Sequence, residues 1–258
     1  MKGRVVWALA KGVVLESIRR KDLWVVAILG MLIVAAAGAL GFFGLNGLEA
    51  FAKDLAVTVL GLFSSVAAVL VSSRMLPEEI RQRTLYPLLA RPVTRLELLV
   101  GKLAGAVLVT WIGFFLLIAL TTGVLALFGV TFGATFVQYA LLKMVGLAVL
   151  CAVSLALSTW MTPQGAATLS LVLAFGTGLV SRGLVMAYEG AGPAVQPIFK
   201  LVNAILPQYA LFDLGARVAN DGWGLVPLWV VAALVGYALI YSAAALGLAW
   251  ARFARQAL

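Results

Sequence analysis

The stretch EEIRQRTLYPLLARPVTRLELLVGK, Glu78 to Lys102, is a long, densely charged segment set between two continuous apolar runs. Similar apolar runs make up most of the remaining sequence. Hydrophobic residues are 64% of the chain and charged residues 11%, whereas soluble domains have roughly 45–50% and 25%. This composition excludes an ordinary soluble enzyme. It indicates a membrane protein that presents the charged segment to a partner in water.

Six apolar runs have the length of roughly 20 residues that an α-helix needs to cross a bilayer. They are Leu23–Phe43, Leu55–Ser73, Leu103–Phe128, Phe136–Ser158, Ala166–Ala187 and Leu228–Trp250. Their continuous rather than alternating pattern favours helices over barrel strands. The first run exceeds the apolar core of a signal peptide, so we expect it to remain as a span. We predict an all-α integral membrane protein with six transmembrane helices, forming one domain over residues 1–258.

The basic residues are strongly clustered. Of 19 lysines and arginines, six precede the first run, six lie between the second and third runs, and two follow the last. By the positive-inside rule, both termini and the loop at 74–98 are cytoplasmic in a multi-pass protein of the plasma (inner) membrane. The positive charge therefore indicates topology, and we expect no nucleic-acid partner.

Three segments outside the spans show helical patterns. Residues 1–22 combine apolar and basic positions, which predicts an amphipathic elbow helix in the membrane interface, in contact with lipids. Pro77 followed by Glu78 and Glu79 is typical of a helix start and predicts a short cytoplasmic helix, interrupted near Pro87. Residues 188–225 are apolar but broken by proline and glycine, which predicts short outer helices in a re-entrant segment. Thr162 and Pro163 are expected to begin the fifth span.

Residues that could carry catalysis or bind a cofactor are scarce. The chain has no histidine and one cysteine, Cys151. Gly101-Lys102 lacks the glycine and the hydroxyl residue that a phosphate-binding loop requires. We therefore expect a non-catalytic chain that binds no cofactor or metal. The spans are nearly free of acids, and we expect Lys143 and Arg182 to extend towards the membrane surface and the cargo to be apolar or amphipathic.

The charged segment resembles the signature of ABC exporter permeases of the type-two (type V exporter-like) class. The matching motif is EEIRQRTLYPLLARPVTRLELLVGKLAGA, with Pro87 as a less typical residue. ILPQYALFDL, Ile205–Leu214, is similar to an element that precedes the last span in this family, and KDLA at Lys53–Ala56 is also similar. The resemblance covers nearly the whole chain.

This resemblance implies a coupling helix between spans two and three that docks on a separate ATPase. It implies a complex of two ATPase subunits, which bind ATP and Mg²⁺, and a second permease that is a copy or a paralogue. The implied contacts with the ATPase are Glu78, Glu79, Arg81, Arg83, Thr84 and Tyr86. The remaining motif residues are Arg91, Pro92, Arg95, Gly101 and Lys102.

Three functions remain open at this point. The first is the permease subunit of an ATP-driven exporter, which changes between inward-open and outward-open states. The second is an ion-coupled secondary transporter or channel, which acids midway across the membrane would favour, and the predicted spans lack them. The third is a membrane anchor that recruits a soluble complex without transporting anything.

Overall fold

A computed structural model describes residues 3–19, 28, 30–31, 48–81, 94–190, 196–197, 200–201, 206–220 and 223–255. Within these ranges the regular secondary structure is entirely helical. The helices are α1 (Gly3–Arg19), α2 (Leu48–Arg81), α3 (Arg95–Leu127), α4 (Ala134–Ser158), α5 (Pro163–Gly190), a 3-10 helix (Tyr209–Phe212), α6 (Gly215–Ala219) and α7 (Leu228–Arg255). Five of these, α2 to α5 and α7, are long and apolar enough to cross a membrane.

The five long helices contain the second to sixth predicted spans almost completely. Pro163 is the first residue of α5, and the amide of Gly165 donates to Thr162 Oγ1 at 3.3 Å, which confirms the predicted N-cap. The first predicted span, Leu23–Phe43, lies largely outside the described residues. Its described residues at 28, 30 and 31 are helical, and a Cβ on Gly30 would lie 3.6 Å from side-chain atoms of Phe63 and Leu117.

The long helices alternate in direction, so their ends form two groups. The ends of α2, α4 and α7 and the beginnings of α3 and α5 lie together, and we call this side the basic end because Arg81, Arg95 and Arg255 lie there. The beginning of α4 and the end of α5 lie at the other side, which we call the far end. This arrangement agrees with the predicted alternation of spans.

A helix, α1, lies where the elbow helix was predicted and packs against α3, and its place in the membrane interface stays a prediction. Val13 is buried, and its Cβ is 2.6 Å from the position that a Cβ on Gly105 would occupy. Glycine at 105 therefore permits the close approach of the two helices. The opposite side of α1 exposes Trp7 and Leu15, and these suit contact with lipid.

The centre of the bundle is formed by α2 and α4. Tyr139 of α4 is completely buried and donates its hydroxyl to the carbonyl of Val57 in α2, at 3.2 Å. Its ring belongs to an apolar cluster with Leu60 and Phe114. In contrast, α5 and α7 are mostly exposed along their apolar length. In a bilayer these exposed faces would contact lipid or another subunit.

The prediction that Pro77 begins a separate helix is wrong. Pro77 lies inside α2, which continues to Arg81. Proline cannot donate to the carbonyl of Ser73 and normally interrupts a helix. Here Leu76 is buried in an apolar cluster with Leu98 and Phe253, and these contacts hold the last turns of α2 against the bundle. Because α3 begins at Arg95, both ends of the predicted 74–98 loop are helical, and residues 82–93 lie outside the described part.

The segment before α7 contains two short helices, the 3-10 helix and α6. Phe212 is buried, and its Cβ is 2.8 Å from the position that a Cβ on Gly146 would take. The side chain of Gln138 holds the next part of this segment, donating to the carbonyl of Val226 and accepting from its amide, both at 2.8 Å. The two contacts fix this segment to α4, so the predicted short helices are packed against the bundle.

Candidate functional site

The basic end contains an ion pair between Glu79 of α2 and Lys102 of α3. The side chain of Lys102 is 6% exposed and that of Glu79 is 16% exposed, so the pair is largely removed from water. An ion pair in such a place depends on both partners, because either charge alone would be buried without compensation. The pair therefore connects the last turn of α2 to the second turn of α3.

The beginning of α3 is fixed by a capping box. The hydroxyl of Thr94 accepts from the amide of Glu97 at 3.2 Å, and the carboxylate of Glu97 accepts from the amide of Thr94 at 3.1 Å. Arg95 is the first residue of the helix and donates to the carbonyls of Phe253 and Ala254 at 2.6 and 2.9 Å. These are among the last carbonyls of α7, which have no partner within their own helix. Arg95 therefore joins the beginning of α3 to the end of α7.

The predicted site residues fall into three groups. Glu79, Arg95 and Lys102 are held in contacts between helices, and Gly101 is buried beside Lys102. Glu78 and Arg81 are more exposed, with a loose contact of 3.8 Å between Arg81 Nη2 and Glu78 Oε1. The others lie outside the described residues; they are Arg83, Thr84, Tyr86, Arg91 and Pro92.

A second candidate site is a cavity of about 250 Å³ between α2, α4, α5 and the segment before α7. Its polar lining consists of Ser65, Lys143, Arg182, Tyr209 and Asp213. Its apolar lining includes Leu147, Leu150, Ala174, Phe175 and Leu179. The cavity thus combines charged groups with an apolar wall inside an otherwise apolar bundle.

The charged groups of the cavity lie well inside the helices. Lys143 is nine residues from the beginning of α4, or about 13 Å, and Arg182 is eight residues from the end of α5, or about 12 Å. Lys143 donates to Asp213 Oδ2 at 2.9 Å, with its side chain 12% exposed. The segment before α7 brings Asp213 to Lys143, and the expectation that Lys143 extends towards the membrane surface stays a prediction.

The position of Asp213 is fixed locally as well. Its other oxygen, Oδ1, accepts from the amide of Gly215 at 3.0 Å. A Cβ on Gly215 would lie 2.9 Å from Val57 Cγ1, so the chain passes close to α2 at this point. Asp213 is thus held between α2 and α4 in an orientation that suits its contact with Lys143.

Tyr209 lines the cavity and carries a buried hydroxyl. Its hydroxyl oxygen is buried and has no hydrogen-bond partner among the described residues. Burial raises the pKa of this hydroxyl above its usual range, with a smaller contribution from nearby Tyr237. Tyr209 therefore remains a neutral group that can donate one hydrogen bond.

One known protein family matches this chain over most of its length. Residues 24–257 match the family described as "Protein of unknown function (DUF2705)". The chain belongs to the DUF2705 family. No curated protein matches it. The match extends from the first predicted span to the end of α7, and so includes both the basic end and the cavity of this DUF2705 chain.

The cavity of the DUF2705 protein was not found by sequence reasoning. Lys143 and Asp213 are 70 residues apart in sequence, and no local motif links them. The signal present in the sequence was the pair of cations inside apolar runs, since ionisable residues at membrane depth usually have a function. Among the described residues, no group of three or more potential ligands is arranged to hold a metal ion.

Proposed function

We propose that this chain is the transmembrane permease subunit of an ATP-driven ABC transporter of the exporter type. A separate ATPase subunit would hydrolyse ATP, and the permease would convert its movement into alternating access. Each complex would contain two ATPase subunits with ATP and Mg²⁺ and a second permease, which is a copy or a paralogue. The chain itself would be non-catalytic and would lie in the plasma (inner) membrane with both termini in the cytoplasm.

The observation that carries this proposal is the anchoring of segment 82–93 at both ends. Before it, Glu79 joins α2 to α3 through Lys102. After it, Arg95 joins α3 to α7. A force applied to this segment would therefore act on three membrane helices together rather than on a free loop. A coupling element needs such a connection, whereas a loop that only sets topology does not.

The exposed residues beside the segment are suited to contact with a partner. Arg81 has a side chain that is 79% exposed, and its contact with Glu78 is long for an ion pair. Surface pairs of this kind contribute little to stability, so Arg81 could change its partner at small cost. We therefore propose that Glu78 and Arg81 contact the ATPase directly and that Glu79 and Lys102 transmit the movement within the permease.

A second candidate is an ion-coupled transporter. It is favoured by the pairing of Lys143 of α4 with Asp213 of the segment before α7, because ionisable groups within membrane proteins often mark ion pathways. The two candidates differ in their energy source. Transport by the ABC complex would require ATP hydrolysis, whereas the ion-coupled transporter would work in ATP-free vesicles under an ion gradient.

The experiment that tests the proposal is purification of the chain from native membranes, with identification of its partners by mass spectrometry. Co-purification of an ABC ATPase at a defined stoichiometry is expected. Arg81→Glu and Arg83→Glu should each reduce the amount of ATPase recovered without reducing the permease in the membrane. Lys200→Glu is the matched control, since Lys200 is an exposed cation outside the basic end.

The proposal would be contradicted if the chain is recovered without any ATPase under conditions that preserve other membrane complexes. It would also be contradicted if both charge reversals and the control give the same recovery of ATPase. Glu79→Lys is less informative than the arginine variants, because it also breaks the internal ion pair with Lys102.

A further inference from the structure

We propose that the cavity lined by Lys143, Arg182 and Asp213 binds an amphiphile with a single anionic headgroup, such as a phosphate or carboxylate. The headgroup would lie beside Arg182 and Lys143, and the apolar chain would leave along the exposed face of α5. This inference concerns a binding site within the bundle and does not depend on the proposed permease function.

The first argument is the balance of charge. The cavity holds two cations and one carboxylate. Lys143 and Asp213 compensate each other, with 2.9 Å between their charged atoms. Within the described ranges, Arg182 has no ion-pair partner. Arg182 lines the cavity and is exposed, so its charge is accessible to an anionic group that enters there.

The second argument is the balance of hydrogen-bond donors and acceptors. Both oxygens of Asp213 already accept a hydrogen bond, one from Lys143 and one from the amide of Gly215. The charged groups with unused capacity are donors, the guanidinium of Arg182 and the remaining protons of Lys143. A ligand that complements this set must supply acceptors, as phosphate and carboxylate oxygens do. Each oxygen of Asp213 keeps a lone pair, but its charge is already compensated by Lys143, so a cation would gain less there than an anion would gain beside Arg182.

The third argument is size and shape. A cavity of about 250 Å³ is smaller than the sites of drug-sized ligands, which start near 300 Å³. It can hold a small headgroup and a few methylenes but not a complete lipid. Phe175 and Leu179 of α5 line the cavity, yet their side chains are also 47% and 72% exposed at the surface of the bundle. An alkyl chain leaving the cavity would therefore lie against apolar side chains that face lipid.

The test uses the full chain purified in a neutral maltoside detergent. The probe is dodecyl phosphate, with binding measured by isothermal titration calorimetry against protein-free micelles. Inorganic phosphate serves as the free anion, and dodecyltrimethylammonium serves as an amphiphile of opposite charge. We expect saturable binding of dodecyl phosphate at one site per chain, with weaker binding of inorganic phosphate and no saturable binding of the cation.

Substitutions at Arg182 test the contact with the headgroup, and substitutions at glycines of α5 test whether the ligand occupies the cavity. Arg182→Gln removes the uncompensated charge and should raise the Kd of dodecyl phosphate by about tenfold or more, whereas Arg182→Lys keeps the charge and should have a smaller effect. Gly178→Leu fills the cavity, since a Cβ there would already lie 3.3 Å from Ala210 Cβ, and should abolish binding. Gly183→Leu is the matched control, because a Cβ at this position meets nothing within 4 Å, and it should bind as the unmodified chain does.

Several results would overturn the inference. One is an unchanged Kd for dodecyl phosphate in Arg182→Gln, which retains the packing of α5. Another is binding of dodecyltrimethylammonium as strong as that of dodecyl phosphate. Equal affinity for inorganic phosphate and dodecyl phosphate would show a site for a free anion and would refute the amphiphile. Gly178→Leu is interpreted only if its thermal unfolding in detergent matches that of Gly183→Leu, and Arg182→Gln decides the matter if it does not.

Discussion

The carboxylate of Glu79 forms an ion pair with the ammonium of Lys102, and this pair joins the end of α2 to α3 at the basic end of the bundle. Both residues come from the charged segment that the sequence presents as a docking loop. Their charges face each other inside the protein, so the two residues stabilise the contact between α2 and α3, the helices on either side of the loop. Arg81, whose side chain is 79% exposed, lies on the surface beside them.

Loss of one member of this pair should destabilise the chain. Lys102→Met leaves the carboxylate of Glu79 in an apolar setting, and we expect the free energy of unfolding to fall by about 2–4 kcal/mol. In a double-mutant cycle of Lys102→Met, Glu79→Leu and the double variant, the two residues should show a coupling energy of about 1–3 kcal/mol. The measurement is reversible unfolding in mixed micelles with increasing sodium dodecyl sulfate. Additive effects of the two substitutions would contradict the pairing.

Arg81→Gln is the control for this cycle. Its side chain is 79% exposed and its contact with Glu78 is 3.8 Å. A surface pair of this kind contributes about 0–1 kcal/mol, so the variant should unfold close to the unmodified protein. A large loss of stability in Arg81→Gln would show that the basic end is sensitive to any change of charge.

Arg95 should control the end of α7. Arg95→Met removes the donors to the carbonyls of Phe253 and Ala254, and amide exchange in the last turn of α7 should become faster. Arg95→Lys should restore part of the protection, because an ammonium can reach one carbonyl but lacks the fork of the guanidinium. Hydrogen exchange followed by mass spectrometry measures the effect.

The matched control is Arg252→Met, which among the described residues loses a cation–π contact of 5.3 Å with Trp160. Such a contact is worth about 0.5–1 kcal/mol at an exposed site, so exchange in the last turn should change little. Equal acceleration by Arg95→Met and Arg252→Met would refute the role of Arg95 as a cap.

Gly146 should tolerate no side chain. A Cβ at this position would lie 2.8 Å from the Cβ of Phe212, so Gly146→Ala must move the segment that carries Asp213. We expect a destabilisation of about 1–3 kcal/mol in detergent unfolding. Gly113→Ala is the control, because a Cβ there meets nothing within 4 Å and alanine favours helix. If both variants unfold alike, the close contact with Phe212 is not required.

The two ends of the bundle should be accessible from opposite sides of the membrane. Met161 lies between α4 and α5 at the basic end, and Leu225 lies before α7 at the far end; both are exposed. Single cysteines at these positions, in a Cys151→Ala background, should react with an impermeant maleimide from opposite sides. Labelling of Met161→Cys from the cytoplasm would agree with the positive-inside rule. Labelling of both from one side would refute the topology.

Local patterns predicted the helices well and their contacts poorly. The start of α5 at Pro163 and the limits of α4 follow from capping signals and apolar length, which act over a few residues. Pro77 was misinterpreted because its local context is that of a helix start, whereas the packing of Leu76 and the pair of Glu79 with Lys102 extend α2 past it. Tertiary contacts therefore overrode the local preference for a helix start at Pro77.

The candidate sites depend still more on distant contacts. Glu79 and Lys102 are 23 residues apart, and Lys143 and Asp213 are 70 residues apart. Charge and position suggested that Glu79 and Lys102 belong to one motif, but nothing in the motif indicates that they face each other. The partner of Lys143 could not be predicted, because Asp213 reaches it through the turn that places Phe212 over Gly146.

The cap that Arg95 provides also sets an order of events during synthesis. Its acceptors at Phe253 and Ala254 are made 158 and 159 residues later. At about 5–20 residues per second, this delay is roughly 8–30 s, during which the guanidinium has no carbonyl of α7 to bind. If synthesis stops before α7 has left the ribosome, the basic end cannot close. Quality-control proteases could then recognise the unfinished molecule by its open basic end.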